Sequence, residues 1–115
     1  QAGVGGMAAA MIAGCARYLE HFPKIIIVEP ESAACVLKAV EQNKIVTLDI
    51  KKESLMGGMS CGKVSTIPWK IIKNNCNFCI SIPDDKISDT IKLLASSSFN
   101  EKKNNWGRMC DARYH

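Results

Sequence analysis

Hydrophobic and polar residues follow two patterns along most of the chain, one typical of strands and one typical of helices. A β-branched run such as residues 25–28 is typical of a strand buried in a parallel sheet. Between such runs, small and apolar residues recur at helical spacing. The predicted strands are residues 24–30, 45–50 and 77–85, and the predicted helices are residues 7–22, 31–44, 67–75 and 85–95.

The order of these elements predicts an α/β fold. Strands that alternate with helices are joined by crossover connections, and such connections make neighbouring strands parallel. We therefore expect residues 1–95 to form an open, mainly parallel sheet with helices on both faces. Residues 96–115 contain serines, amides and charged residues without apolar periodicity, and we expect a divergent, disordered tail there.

Length and composition favour a single soluble domain. The chain has 115 residues, of which 47% are hydrophobic, and this is enough to form a core. We expect a cytoplasmic protein, because no apolar stretch could span a bilayer and no signal sequence is recognisable. The net charge of +4 comes from scattered lysines, which favours a solvated surface over nucleic-acid binding. The 6 cysteines lack a secretory context, which predicts reduced thiols.

The first residues, QAGVGGMAAAM, place glycines directly before a predicted helix. Without side chains, the backbone N–H groups of such a loop can approach an anion, and the helix adds the positive end of its dipole. The segment therefore predicts a phosphate-binding loop. A simple glycine turn into a helix is the alternative.

The same loop also fits a dinucleotide-binding fingerprint. Gly3, Gly5 and Ala8 match G-x-G-x-x-A, and Glu29 lies close to the ~20-residue spacing expected of a ribose-binding acid. A nicotinamide-dinucleotide-binding oxidoreductase domain is therefore an alternative function. However, Pro30 follows the acid directly, and the strand that should precede the loop is missing. We interpret the chain as a fragment of a longer protein.

Two further motifs have a weaker claim to function. Residues 57–65, GGMSCGKVS, nearly form a P-loop, but Val64 replaces the hydroxyl that binds the metal. Cys76 and Cys79 form a C-x-x-C pair, but no second pair or suitably spaced histidine completes a zinc site. Since this pair runs into an apolar strand and does not begin a helix, the sequence favours packing over redox chemistry.

Four segments together resemble one enzyme family: QAGVGGMAAAMIAG, KIIIVEPESAAC, SLMGGMSCGKVSTIPWKII and CNFCISIPDD. In this order they are similar to landmarks of the diaminopropionate ammonia-lyases. These are pyridoxal-phosphate enzymes of the tryptophan synthase β-like superfamily, with fold type II. The glycine loop and V-E-P are shared with threonine and serine dehydratases, whereas MGGMSCG followed by PWKII resembles the lyases more closely. The resemblance extends over residues 1–95, which we expect to form part of a pyridoxal-phosphate-binding domain.

The resemblance implies a cofactor, a reaction and a set of ligands. The phosphate of pyridoxal 5'-phosphate would bind backbone N–H groups of the glycine loop, and Gly62 would lie near the cofactor ring. The implied reaction is α,β-elimination of 2,3-diaminopropionate to pyruvate and ammonia, with a threonine or serine dehydratase-like reaction as the alternative. The implied cofactor-binding residues are Gly3, Val4, Gly5, Gly6, Met7 and Gly62.

The sequence also departs from the family pattern. Related enzymes hold a cation beside the acid of V-E-P, which would be Glu29, but Cys35 occupies the position of a second acid, and we expect no metal. Lys63 follows C-G where a Glu–Pro pair is usual. The family's cofactor-binding lysine lies upstream of the glycine loop and the partner of the pyridine nitrogen lies downstream. We therefore assign no catalytic residue, and expect the chain alone to be inactive and its parent enzyme to be a homodimer.

Overall fold

The computed structural model describes residues 2–96. The helices are α1 (Gly6–Tyr18), α2 (Cys35–Gln42), α3 (Thr66–Asn75) and α4 (Asp85–Ser96), and the strands are β1 (Ile26–Pro30) and β2 (Phe78–Ile82). Short 3-10 turns occupy Glu31–Ala33 and Gly57–Met59. The predicted tail lies outside the described residues, apart from Ser96 at the end of α4.

The sheet consists of β1 and β2, which pair in parallel with Ile26 opposite Phe78 and Pro30 opposite Ile82. A side chain secures the start of this pair, since Asn77 Oδ1 accepts a hydrogen bond from the backbone N–H of Ile25 at 2.7 Å. The backbone N–H of Asn77 donates in return to the carbonyl of Ile25 at 2.9 Å. Helices separate the two strands in the chain, and the α/β prediction with parallel strands is confirmed.

The strand predicted at residues 45–50 is wrong. Its only ladder contact among the described residues is an isolated antiparallel bridge between Thr47 and Lys63. Exposure does alternate along residues 46–50, as it would in a strand. A strand also needs a neighbour to accept its backbone hydrogen bonds, and no pattern within one segment reveals whether that neighbour exists.

The core lies where α1, α2 and α3 meet β1. Trp69 and Ile72, spaced at i and i+3, turn one face of α3 inward, and Ile72 is fully buried. They pack with buried residues from the other elements, which include Ile12, Ile27, Val36, Ala39 and Val64. This cluster packs against the beginning of α1.

The chain divides into two compact units, one ending at Asp84 and the other beginning at Asp85. The described part of the second unit is α4, which carries exposed ion pairs between neighbouring residues of the helix. Within residues 2–96, no helix is both long enough and apolar enough to cross a membrane.

Candidate cofactor-binding site

The glycine loop, residues 3–7, lies at the beginning of α1. Gly5 is the N-cap residue and has φ +91°, a left-handed conformation that favours glycine. Its carbonyl accepts the first helical hydrogen bond, from the N–H of Ala9 at 2.9 Å. No side chain of the described residues caps this end, and the first turn contains no acidic residue. Its N–H groups therefore lack helical acceptors and carry the positive end of the dipole.

The inner side of the loop packs tightly against α3. A Cβ atom at Gly5 would lie 3.0 Å from both Ile72 Cδ1 and Pro68 Cβ and 3.1 Å from Val64 Cγ2. The carbonyl of Val4 accepts a hydrogen bond from the N–H of Ser65 at 2.9 Å. Gly5 is thus required for packing and for backbone conformation, whatever the loop binds.

The outer side of the loop is open. Apart from its chain neighbours and the backbone of its own helix, a Cβ atom at Gly6 would have no heavy atom of the described residues within 4 Å, and the flanking Val4 and Met7 are 46% and 53% exposed. An uncapped helix N-terminus beneath open space is the arrangement that a phosphate group requires. The residues present therefore fit the phosphate of the predicted cofactor.

A second segment, which we call the MGG loop (residues 56–62), packs against the glycine loop. A Cβ atom at Gly3 would lie 3.0 Å from the carbonyl oxygen of Gly58 and 3.1 Å from Cys61 Sγ. The structure therefore brings together two of the segments that carry the family resemblance. They lie about fifty residues apart in the sequence.

Gly62 has a structural explanation of its own. A Cβ atom there would lie 2.7 Å from the carbonyl oxygen of Leu48, and the Leu48 N–H donates to the Gly62 carbonyl at 2.7 Å. This close backbone approach requires glycine even without a ligand. The same region does not form a P-loop, because Lys63 lies in the isolated bridge and the next helix begins only at Thr66.

A hydrogen-bond network holds the start of the MGG loop. The Ser54 hydroxyl donates to Asp84 Oδ1 at 2.6 Å, and the Leu55 N–H donates to Asp84 Oδ2 at 3.0 Å. The Ser54 hydroxyl also accepts from the Met56 N–H at 3.0 Å. Asp84 follows β2, so the carboxyl end of a strand anchors a loop that touches the predicted phosphate site.

Glu29 lies in β1 and caps a helix. It is only 1% exposed, and its two carboxylate oxygens accept from the N–H groups of Val36 at 3.0 Å and Leu37 at 2.8 Å, in the first turn of α2. Burial raises the pKa of Glu29, and these backbone hydrogen bonds partly oppose the rise. Both oxygens are occupied by the helix, which argues against the dinucleotide alternative with Glu29 on a ribose.

Cys35 connects this cap to the glycine loop. Its buried thiol donates to the carbonyl oxygen of Gly3, with Sγ at 3.4 Å. Burial raises the pKa of Cys35 to about 12, and the negative charge of Glu29 adds to the rise. A thiol with such a pKa stays protonated near neutral pH and serves as a donor. Within the described residues, no three potential metal ligands converge.

Comparison with known proteins identifies the family. Residues 1–99 match the family described as pyridoxal-phosphate dependent enzymes. The chain belongs to this family. Its relatives include the diaminopropionate ammonia-lyase of Salmonella typhimurium, which is 35% identical over 101 residues, and that of Escherichia coli (strain K12), 28% identical over 104 residues. The resemblance deduced from the sequence, and with it the pyridoxal-phosphate cofactor of the family, is confirmed.

The matched regions cover most of this chain and a small part of each relative. They cover 84% of this chain and 24% of the Salmonella protein, and 90% of this chain and 26% of the Escherichia coli protein. The chain therefore spans about a quarter of the length of these curated relatives.

Solved structures of two other enzymes agree with the architecture. A threonine deaminase from T.th. superposes with a TM-score of 0.73 at 18% identity, over 83% of this chain and 34% of that protein. Maize serine racemase gives a TM-score of 0.72 at 19% identity, over 82% of this chain and 29% of that protein. The predicted fold class, a partial fold-type-II domain, is confirmed.

Proposed function

We propose that the protein containing this chain is a pyridoxal-phosphate-dependent lyase that acts on 2,3-diaminopropionate and releases pyruvate and ammonia. The observation that carries the proposal is the open, uncapped N-terminus of α1 at the glycine loop, in contact with the MGG loop. The substrate follows from the names of the curated relatives, both of which are diaminopropionate ammonia-lyases.

In this proposal the chain supplies the phosphate end of the cofactor site. Backbone N–H groups of Gly3, Val4, Gly5, Gly6 and Met7 bind the phosphate, and the dipole of α1 stabilises its charge. Gly62 borders the cofactor ring. When bound, pyridoxal phosphate withdraws electrons from the substrate's Cα and so permits loss of the β-amino group. The chain's own role is to bind and orient the cofactor.

A charge placed at Gly6 tests the phosphate site, because a side chain there meets open space. In the full-length protein, Gly6→Asp should weaken cofactor binding by more than about tenfold, since its carboxylate repels the phosphate. The same carboxylate should stabilise α1, because it lies in the first helical turn. Gly6→Asn is the matched control, with the same shape and no charge. Equal cofactor affinity of the two variants would refute the phosphate site.

A threonine or serine dehydratase-like activity is the second candidate, and the fold shared with threonine deaminase favours it. The two are distinguished by substrate. Diaminopropionate should yield pyruvate with the purified full-length protein, whereas threonine should yield little 2-oxobutyrate. The opposite preference would replace the lyase with a dehydratase and would leave the cofactor site intact.

The proposal also includes the location and oligomeric state of the parent enzyme and the activity of the chain alone. The parent enzyme is a cytoplasmic homodimer whose substrate is a small amino acid, and the 115-residue chain by itself is inactive. Light scattering of the full-length protein measures the oligomeric state. For the chain alone, pyruvate production above the rate of free pyridoxal phosphate, lost on changing one specific lysine to alanine, would contradict its inactivity.

A further inference from the structure

Two cysteine side chains outside the cofactor site lie in contact. Cys76 Sγ and Cys79 Sγ are 3.5 Å apart, at the junction between α3 and β2. Both cysteines are free and half-buried, and both pack against the core cluster. The sequence alone favoured packing for this pair, and the structure adds a direct contact between the sulfur atoms.

Backbone contacts hold both cysteines in place. The N–H of Cys76 donates to the Ile72 carbonyl at 2.9 Å and ends α3, while Cys79 is opposite Ile27 in the sheet. The thiol of Cys76 also donates to the Phe78 carbonyl, with Sγ at 3.0 Å. The two sulfur atoms are therefore held near each other by secondary structure on both sides. Bond formation requires them to approach by only about 1.5 Å.

We propose that Cys76 and Cys79 form a redox modification site, where a small-molecule disulfide oxidises the dithiol to an intramolecular disulfide bond. The Cys76 thiolate attacks the small disulfide, forms a mixed disulfide and releases one thiolate. The Cys79 thiolate then attacks the Cys76 sulfur, closes the protein disulfide and releases the second thiolate. The cysteine pair loses two electrons and two protons, and the small disulfide becomes two thiols.

The surroundings of Cys79 suit the second, resolving role. Burial raises the pKa of Cys79 to about 12, and the hydrogen bond and the charge of Cys76 contribute to the rise. A thiol with this pKa makes a poor first nucleophile. Once Cys76 is in a mixed disulfide, its sulfur carries no charge. The part of the rise in pKa that comes from Cys76 is then removed, the larger part that comes from burial remains, and closure of the disulfide depends on the short distance between the two sulfur atoms.

Peptide mass measures the reaction at this site alone. Trypsin cuts after Lys73 and Lys86, so both cysteines fall in one peptide, residues 74–86, which has no other cysteine. The protein is equilibrated with oxidised and reduced glutathione at several ratios, quenched with acid, alkylated and digested. The disulfide form of this peptide stays unalkylated, whereas the dithiol form gains two alkyl groups.

The folded protein should form the disulfide at an oxidised-to-reduced glutathione ratio about tenfold lower than the same chain in urea, because the fold holds the sulfurs together. In Cys79→Ser, the glutathione adduct should accumulate on Cys76, since no resolving thiol is present. The peptide that contains Cys15 is the internal control and should form no intramolecular disulfide. Equal ratios for folded and unfolded chains, or only mixed disulfides in the folded wild type, would overturn the proposal.

Discussion

The Leu37 N–H donates a 2.8 Å hydrogen bond to Glu29 Oε2, which joins a carboxylate of β1 to the first turn of α2. The Val36 N–H donates to the other oxygen at 3.0 Å. Two orphan N–H groups of the helix are thereby satisfied by an acid that precedes them by 7 and 8 residues. The acid of V-E-P is therefore a structural link between the sheet and the helix that supports the glycine loop through Cys35.

The first prediction concerns the pH dependence of this cap. The pKa of Glu29 is raised above its ordinary value of 4.5, mainly by burial, so the folded chain binds the proton more tightly than the unfolded chain. The stability that this group contributes is fully present below its ordinary pKa of 4.5 and is lost as pH rises through the folded pKa. Relative to Glu29→Gln, which does not titrate, the free energy of unfolding of the wild type should fall as pH increases.

Urea unfolding of both proteins at several pH values between about 4 and 7 measures this difference. Protonated glutamic acid and glutamine have nearly the same shape, so the two proteins should be closest in stability at the lowest pH. If the wild type instead gained stability over the variant as pH rose, the two backbone hydrogen bonds would outweigh burial.

The sequence predicted correctly the elements that are decided by residues within one segment, and it missed contacts between different elements. Helical periodicity and the β-branched run correctly predicted α1, β1 and α3, because apolar spacing within one segment decides those elements. The roles of Glu29 and Asp84 were missed, since each binds backbone N–H groups of another element. A strand acid that caps a helix matches no standard capping motif, and no signal in the sequence could have found it.

The second prediction compares Gly5, the N-cap residue of α1, with Gly14 inside the helix. Gly5→Ala should destabilise the chain by about 1–3 kcal/mol, because alanine is strained at positive φ and its Cβ would crowd Pro68 and Ile72. Gly14→Ala is the matched control, since a Cβ there meets open space within the same helix. The control should be stabilising by about 0.5–1 kcal/mol. Similar effects of the two substitutions on thermal or urea unfolding would contradict the close packing of Gly5.

The third prediction tests the anchor of the MGG loop. Asp84→Asn removes a charged acceptor shared by the Ser54 hydroxyl and the Leu55 N–H, and should cost about 1–3 kcal/mol of stability. Asp89→Asn is the matched control, because that carboxylate is exposed and forms a 3.8 Å ion pair with Lys92. The control should change stability by less than about 0.5 kcal/mol. An equally small effect at Asp84 would show that the loop does not depend on this network.

The last prediction concerns the reactivity of Cys35. Alkylation requires the thiolate, and burial together with the charge of Glu29 raises the pKa of this thiol to about 12. At a pH of about 8, iodoacetamide should therefore label Cys35 more than about a hundredfold more slowly in the folded chain than in urea, where the ordinary thiol pKa returns. Cys15 is half-buried and gives the comparison within the same sample. Mass spectrometry of tryptic peptides resolves the two cysteines. Fast labelling of Cys35 in the folded chain would mean that the hydrogen bond to Gly3 opens readily and that the support beneath the glycine loop is weak.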